Sequence, residues 1–191
     1  MNAVPEPGSV VVMPVVDGEP APVCGEDGII GQPSPKIEGP GDCGILEPVK
    51  VHRIAGTTLA PQPVIGCRAA RALSVWLEEA AKPAFEEAGA ALDGLDIAAA
   101  YVCRNVNYAE DGLVSQHAHG RAIDISRFHL EDGTTVSVLD GWHDEDDGPL
   151  LRGIHQAACG IFSTTLGPES DAYHADHFHY DVAERRQPYC P

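Results

Sequence analysis

The stretch SQHAHGRAIDISRFHL, Ser115 to Leu130, joins a polar loop to a strand and carries two kinds of metal-binding side chain. His117 lies in the loop, and Asp124 lies in the alternating segment that follows. Side chains of a strand alternate between two faces, so Ile123 and Ile125 share one face and Asp124 points to the other. We expect the isoleucines to face the core, which leaves the Asp124 carboxylate facing a cleft. A turn at EDG and the segment TTVSVL then predict a second, pairing strand.

A second cluster, HADHFHYD, His174 to Asp181, holds three of the nine histidines of the chain. Its last part alternates and predicts a final strand, in which His177, His179 and Asp181 share one face. Two imidazoles and a carboxylate are a usual ligand set for catalytic zinc. For this cluster considered alone, a solvated histidine-rich face or a weak adventitious metal site is the alternative.

The remaining pattern predicts an α+β fold, with a small, mainly antiparallel sheet and helices packed on it. The clearest helix is CRAARALSVWLEEAAKPAFEEAGAAL, which starts at Cys67 and which Pro83 should kink or divide. LDIAAAYVC, Leu95 to Cys103, is typical of a buried strand. DGPLLRGIHQAACG, Asp147 to Gly160, predicts a short helix with Gly160 as its stop.

Residues 1–64 differ in composition from the rest of the chain, because they hold eleven of its 16 prolines. Such a segment cannot be helical for long. Only VKVHRIAG, Val49 to Gly56, alternates clearly enough to predict a strand. We therefore divide the chain into an irregular, proline-rich arm at 1–64, pinned by Cys24 and Cys43, and a domain at 65–191.

The formal net charge of −17 excludes some classes of partner. A surface with 29 acidic and 12 basic residues repels nucleic acid phosphates and anionic membranes. No apolar run is long enough to span a bilayer. We expect neither nucleic acid binding nor membrane insertion.

Six cysteines are spread along the chain without a CxxC pair, which favours disulfides over a cysteine zinc site. They allow 15 pairings, and the spacing does not choose among them. Disulfides imply an oxidising compartment, while six reduced thiols in the cytosol are the alternative. The start MNAVPEPGSV has neither the basic residue nor the apolar core of a signal peptide. We expect that a leader was removed from a periplasmic or secreted protein.

Two motifs carry a resemblance to a known group. SQHAHGRAID fits S-x-H-x-x-G-x-A-x-D, and HADHFH fits H-x-x-H-x-H. Together they resemble the signature of the LAS metallopeptidases, which include D-alanyl-D-alanine peptidases, murein endopeptidases and the hedgehog signalling domain. From about Cys67 to Cys190 the chain also resembles the bacterial extensin-like C-terminal family, in YVCRN, DGTTVSVLDGW, LLRGIHQAACGIFSTTLGP and HADHFHYD. The resemblance implies a LAS or hedgehog-like metallopeptidase fold.

The resemblance also implies roles for individual residues. His117, Asp124 and His179 match the three zinc ligands. Asp176 matches the catalytic carboxylate, which takes a proton from the attacking water and passes it to the leaving amine. His177 would hydrogen-bond the oxyanion rather than bind the metal.

Three further residues have implied roles that are less specific. His174 matches an active-site histidine that assists the base or the tetrahedral intermediate. Arg104, in YVCRN, matches an arginine near the substrate, where it would pair with a peptide carboxylate, and an ordinary surface ion pair is the alternative. Ser115 would orient a ligand or the substrate.

The implied activity is that of a zinc peptidase acting on peptidoglycan stem peptides. The predicted enzyme is a D,D-endopeptidase that cuts crosslinks. A D,D-carboxypeptidase, or a peptidase specific for small dipeptides or L,D bonds, is an alternative of the same class. A non-catalytic zinc module that binds peptidoglycan or a protein is the first alternative, and an envelope protein that uses zinc only for stability is the second. The spacing alone indicates no more than a hydrolytic metal site.

Overall fold

A ten-stranded sheet runs through the part of the chain that the computed structural model describes, residues 18–109 and 112–191. Its strand order is β1-β2-β5-β6-β8-β9-β12-β11, with β7 added on β5 and β10 on β9, and β3 and β4 form a separate hairpin. Only the β6–β8 pair is parallel among the described strands. The strands are β1 (Ala21–Val23), β2 (Glu26–Pro33), β3 (Ile37–Glu38), β4 (Gly44–Ile45), β5 (Pro48–Ile54), β6 (Thr57–Ala60), β7 (Val64–Gly66), β8 (Leu92–Ala99), β9 (Ala122–Leu130), β10 (Thr135–Ser137), β11 (Thr164–Leu166) and β12 (Phe178–Asp181). The α+β class and the mostly antiparallel sheet are thus confirmed.

The long helical segment after Cys67 is divided near Pro83, as predicted. Helix α1, Cys67–Trp76, passes through a π-helical turn, Leu77–Ala81, into α2, Lys82–Glu87. Proline has no N–H for the helical ladder and its ring displaces the carbonyl four residues earlier, so a wider turn before it relieves both conflicts. The helix ends before Gly89, whose φ of 110° suits a glycine at the stop.

The helices pack on one face of the sheet around aromatic side chains. Leu73, Trp76 and Leu77 of the first helical segment are completely buried. The Trp76 ring lies 5.3 Å from that of Tyr180 and 6.4 Å from that of Phe128, centroid to centroid. These contacts pack the helix against β9 and β12, the strands of Asp124 and His179. The remaining helices are α3, Val138–Gly141, and α4, Asp147–Ala157.

Strands β9 and β12 are antiparallel neighbours whose register brings the two predicted clusters together. Ile123 and Ile125 are fully buried, as the alternation predicted. Tyr180 stands opposite Ile123, and His179 stands opposite Asp124. Because alternate residues share a face, the pairing that buries the aromatic and aliphatic side chains also places His179 and Asp124 side by side on the other face.

Three disulfides connect distant parts of the chain. Cys24 bonds to Cys67 and Cys43 bonds to Cys103, so the prediction that these two cysteines pin the N-terminal segment is confirmed. The third bond joins Cys159 to Cys190. Strands before residue 64 extend the same sheet as strands after it, and residues 1–17 of the predicted arm lie outside the described residues. The disulfides fit the expected oxidising compartment. Within the described ranges no helix has the length and apolar character needed to cross a membrane.

Candidate metal centre

His117, Asp124 and His179 form a buried triangle of possible ligand atoms. His117 belongs to a 3-10 turn, Gln116–His119, Asp124 to β9 and His179 to β12. His117 Nε2 lies 3.1 Å from Asp124 Oδ1 and 3.1 Å from His179 Nδ1, and His179 Nδ1 lies 2.9 Å from Asp124 Oδ1. All three residues are at least nine-tenths buried.

The triangle has the size that a tetrahedral metal site requires. Metal–nitrogen and metal–oxygen bonds of about 2.0–2.1 Å put neighbouring tetrahedral ligands about 3.3 Å apart. The observed separations of 2.9–3.1 Å are close to that value. Two imidazole nitrogens and a carboxylate oxygen are also a donor set that divalent transition metals favour. The group can therefore hold a metal ion.

Hydrogen bonds on the outer side of each imidazole fix which nitrogen faces the centre. His117 Nδ1 lies 2.6 Å from the carbonyl oxygen of Ala100, so its N–H donates outward and Nε2 keeps a lone pair. His179 Nε2 lies 3.3 Å from Asp181 Oδ2, which leaves Nδ1 for the metal. Buried Asp181 is itself fixed, because its other oxygen accepts the backbone N–H of Ala183 at 2.9 Å. Such outer partners are usual around metal-binding histidines.

The loop that carries His117 is shaped by two neighbours in sequence. The Ser115 hydroxyl oxygen accepts the backbone N–H of His117 at 3.3 Å and caps the 3-10 turn. Gly120 ends this turn with a φ of 63°, in the left-handed region. Its carbonyl accepts the N–H of Gly66 at 2.8 Å, and a Cβ there would lie 2.8 Å from Ile45 Cγ1. The metal loop thus rests on the β3–β4 hairpin.

The side chains of Asp124 and His179 have strongly shifted pKa values. Burial alone would raise the pKa of the Asp124 carboxyl, but the hydrogen bonds and charges of His117 and His179 hold that pKa far below its usual range. Burial alone would lower the pKa of His179, but Asp124 and Asp181 outweigh it and raise that pKa to about 9. The raised pKa favours a protonated His179 ring, and its Nδ1 lies 2.9 Å from Asp124 Oδ1.

The other two predicted histidines surround the triangle, each with a carboxylate. His177 Nε2 lies 3.7 Å from Asp124 Oδ2, and its Nδ1 lies 2.8 Å from Asp176 Oδ1. The Asp176 side chain is 66% exposed, so it is open to a substrate. His174 is buried, and its Nδ1 lies 2.7 Å from Asp171 Oδ1. Burial lowers the pKa of His174, although Asp171 opposes this.

A cleft of about 280 Å³ opens beside the triangle. Arg104 and Ser115 line it, together with His117, His174 and His179. The described residues of the cleft wall thus include five of the eight residues that the sequence pointed to. The other three, Asp124, Asp176 and His177, lie next to this group through the contacts given above.

Three residues of this region have roles that the sequence did not predict. Asp181 orients His179, and the alternation of the final strand already placed both on one face. Asp171 orients His174, three residues further on, in a 3-10 turn that Asp171 caps. Arg185 lines the cleft through a return of the chain after β12, for which the sequence carries no local signal.

The fold and the centre define an α+β, disulfide-bonded protein with a buried His-Asp-His group that can hold a metal ion. Within that class the chain belongs to the family described as extensin-like protein C-terminus, whose model matches residues 24–191. The match begins well before Cys67, where the resemblance in sequence began, and so includes the strands of the N-terminal segment. Neither the curated proteins nor the solved structures contain a match to this chain.

Proposed function

We propose that this protein is a zinc-dependent peptidase that hydrolyses an amide bond of peptidoglycan stem peptides in the periplasm or outside the cell. The observation that carries the proposal is the buried triangle of His117 Nε2, Asp124 Oδ1 and His179 Nδ1, at most 3.1 Å apart and open to a cleft. The resemblance to the LAS motifs supplies the substrate class, and a D,D bond in a crosslink or at the end of a stem is the expected target.

His117, Asp124 and His179 would hold the zinc ion. Zinc, when bound, acts as a Lewis acid that polarises the scissile carbonyl and makes water a nucleophile near neutral pH. A purely structural zinc site is usually closed by four protein ligands. Three ligands beside an open cleft fit a catalytic site better.

Asp176 supplies the general base in this proposal. Its exposed carboxylate takes a proton from the attacking water and later delivers it to the leaving amine. The His177 ring lies between Asp176 and Asp124, with one nitrogen toward each carboxylate. This arrangement keeps His177 at the edge of the centre, where its N–H stabilises negative charge that develops on the carbonyl oxygen.

His174 and Ser115 support the reacting group from the cleft wall. Asp171 accepts a hydrogen bond from His174 Nδ1, which leaves Nε2 of His174 for the cleft. Ser115 holds the backbone at His117, so its proposed role is to orient that ligand. Arg104 lines the same cleft and provides a cation for the substrate.

The test is digestion of purified peptidoglycan and its muropeptides by the zinc-loaded protein, with products identified by mass spectrometry. Asp176→Ala is the partner variant, because it removes the proposed base and leaves the three zinc ligands intact. We expect loss of crosslinked dimers, or release of a terminal residue, with the wild type and neither with the variant, while both bind one zinc ion. A zinc-replete wild type that cuts none of these substrates would refute the peptidase and favour the binding module.

A further inference from the structure

We propose that Arg185 forms a carboxylate-binding subsite beside the metal centre, selective for a peptide whose residue on the leaving side of the scissile amide carries a free carboxylate. The inference rests on the proposed function where it names the amide that is cut. The claim that the cleft binds an anion rests on the residues of the cleft alone. Arg185 lines the same cleft as His174 and His179.

The guanidinium of Arg185 is held through its Nε and against one ring, which leaves its terminal nitrogens available. Its Nε donates to Thr164 Oγ1 at 2.9 Å, and its guanidinium carbon lies 5.9 Å from the centre of the Tyr189 ring. Among the described residues no carboxylate comes within 4.0 Å of this guanidinium. The planar fork of an arginine can bind a carboxylate through two parallel N–H bonds. The two contacts orient that fork without neutralising it.

The backbone around Arg185 is fixed on both sides, as a preorganised subsite requires. Before it, the N–H of Ala183 donates to Asp181 Oδ1 at 2.9 Å. After it, Tyr189 bridges to Thr164 of β11, and Cys190 is bonded to Cys159. The chain therefore leaves the sheet at the end of β12, passes through Arg185, and returns to the neighbouring edge strand β11 at Tyr189.

The charge of the cleft wall differs from that of the chain as a whole. The chain carries a net charge of −17, yet two of its 12 basic residues, Arg104 and Arg185, line one small cleft. The only carboxylate of the described cleft wall, that of Asp181, is already engaged by His179 and Ala183. Arginines thus outnumber carboxylates on the described cleft wall, although the chain as a whole is acidic. The cleft therefore favours an anionic group that the rest of the surface repels.

The size of the cleft restricts where that anion belongs in the substrate. A volume of about 280 Å³ lies at the lower end of the range for ligand pockets. It suits one end group rather than a length of polymer. A residue that follows the scissile amide and bears a free carboxylate would place that carboxylate within the same small space as the metal centre. Both a stem terminus and the carboxyl-bearing side of a crosslink have this chemistry.

The Asp176→Asn protein, loaded with zinc, serves as the parent, because it should bind a peptide without consuming it. Binding of N-acetyl-D-alanyl-D-alanine and of its C-terminal amide is measured by calorimetry. We expect the acid to bind about tenfold or more tightly than the amide, as a charge-assisted pair predicts. Adding Arg185→Gln should remove this difference, while adding Arg186→Gln, which changes the net charge equally at the next position, should keep it.

Three results would overturn the subsite. They are equal binding of acid and amide to the parent, no measurable binding of the acid, or an Arg185→Gln protein that keeps the preference. A lowered zinc affinity in that variant with the preference retained would make Arg185 a positioning residue instead. Acid binding through Arg185 in a protein that hydrolyses no muropeptide would refute the proposed function and leave the subsite standing.

Discussion

The imidazole of His179 connects two carboxylates, with Nδ1 2.9 Å from Asp124 Oδ1 and Nε2 3.3 Å from Asp181 Oδ2. Asp124 belongs to the group that could hold a metal ion and Asp181 does not, so Asp181 would influence a bound ion through the His179 ring. Replacing Asp181 with Asn keeps its shape and removes its charge. We expect this change to weaken zinc binding 10- to 100-fold, as is usual for such outer partners. Competition with a chromophoric chelator measures the affinity.

The control for Asp181→Asn is Asp132→Asn, which removes the same charge from an exposed turn. Thermal unfolding of both metal-free variants shows whether the fold is retained, since Asp181 also accepts the N–H of Ala183. A zinc affinity for Asp181→Asn within twofold of the control would contradict the orienting role.

Zinc binding should release protons, because the metal takes a place that a proton holds in the free protein. Burial opposes the charge of His179, but Asp124 and Asp181 raise its pKa to about 9, so the ring is protonated at neutral pH without metal. Because the pKa of His179 is higher in the folded than in the unfolded chain, its protonation stabilises the fold. This contribution is complete below about pH 6.5 and is lost as the pH rises through about 9. Zinc affinity should accordingly increase about tenfold per pH unit between pH 6 and 8.

Calorimetry in buffers of different ionisation enthalpy measures the number of protons released. We expect about one proton from His179 per zinc ion at pH 7.5. An affinity that does not change between pH 6 and 8, together with no buffer dependence of the heat, would show that the free ring is neutral.

The strand faces on which Asp124 and His179 lie could be predicted, because alternation along each strand decides them. Burying Ile123 and Ile125 leaves one orientation for Asp124, and the same rule places His179 on its face of β12. Division of the helix at Pro83 follows equally from local chemistry.

The contacts that support Gly120 and position Arg185 depend on residues that are far apart in the sequence. Local sequence patterns do not predict such contacts. The hairpin that supports Gly120 comes from a proline- and glycine-rich segment with two-residue strands, and Cys43, next to its second strand, is bonded to the distant Cys103. Arg185 reaches the cleft because Tyr189 and Cys190 fasten the returning chain. Neither the support of Gly120 nor the position of Arg185 follows from a periodic sequence pattern. The positions of six cysteines also do not determine which of them pair.

Gly120→Ala should destabilise the protein by more than a left-handed backbone alone explains. Its φ of 63° costs about 1–2 kcal/mol for a residue with a Cβ, and that Cβ would also overlap with Ile45, adding about 1–3 kcal/mol. Gly133→Ala is the matched control, since its φ is 86° and nothing lies within 4 Å of the added Cβ. Urea unfolding measures both changes.

Ile45→Ala tests whether overlap with Ile45 causes the additional loss of stability in Gly120→Ala. Truncating Ile45 makes room for the new methyl group, so the double variant should be more stable than the sum of the two single changes predicts, by about 1–3 kcal/mol. Equal losses for Gly120→Ala and Gly133→Ala, with strict additivity at Ile45, would show that the hairpin does not support the metal loop.

His155 should make the stability fall in mild acid. Its ring packs 4.7 Å from Phe178 and 5.7 Å from Tyr180, and burial lowers its pKa from 6.5 to about 4. Because the pKa is lower in the folded chain, the unfolded chain binds the proton at a higher pH. The contribution of His155 to the free energy of unfolding is therefore fully present above about pH 6.5 and declines toward pH 4. The decline from this group is on the order of 3 kcal/mol. His155→Phe should remove that part of the pH dependence in urea unfolding measured from pH 7 to 4.

Tyr180→Phe separates titration from the loss of a hydrogen bond. The hydroxyl of Tyr180 lies 3.2 Å from His155 Nδ1, so both variants lose this contact and should be less stable than the wild type at pH 7. Only His155→Phe also loses the titrating group. We therefore expect Tyr180→Phe to keep the acid decline and His155→Phe to lack it, and parallel pH curves for the two variants would refute the assignment to His155.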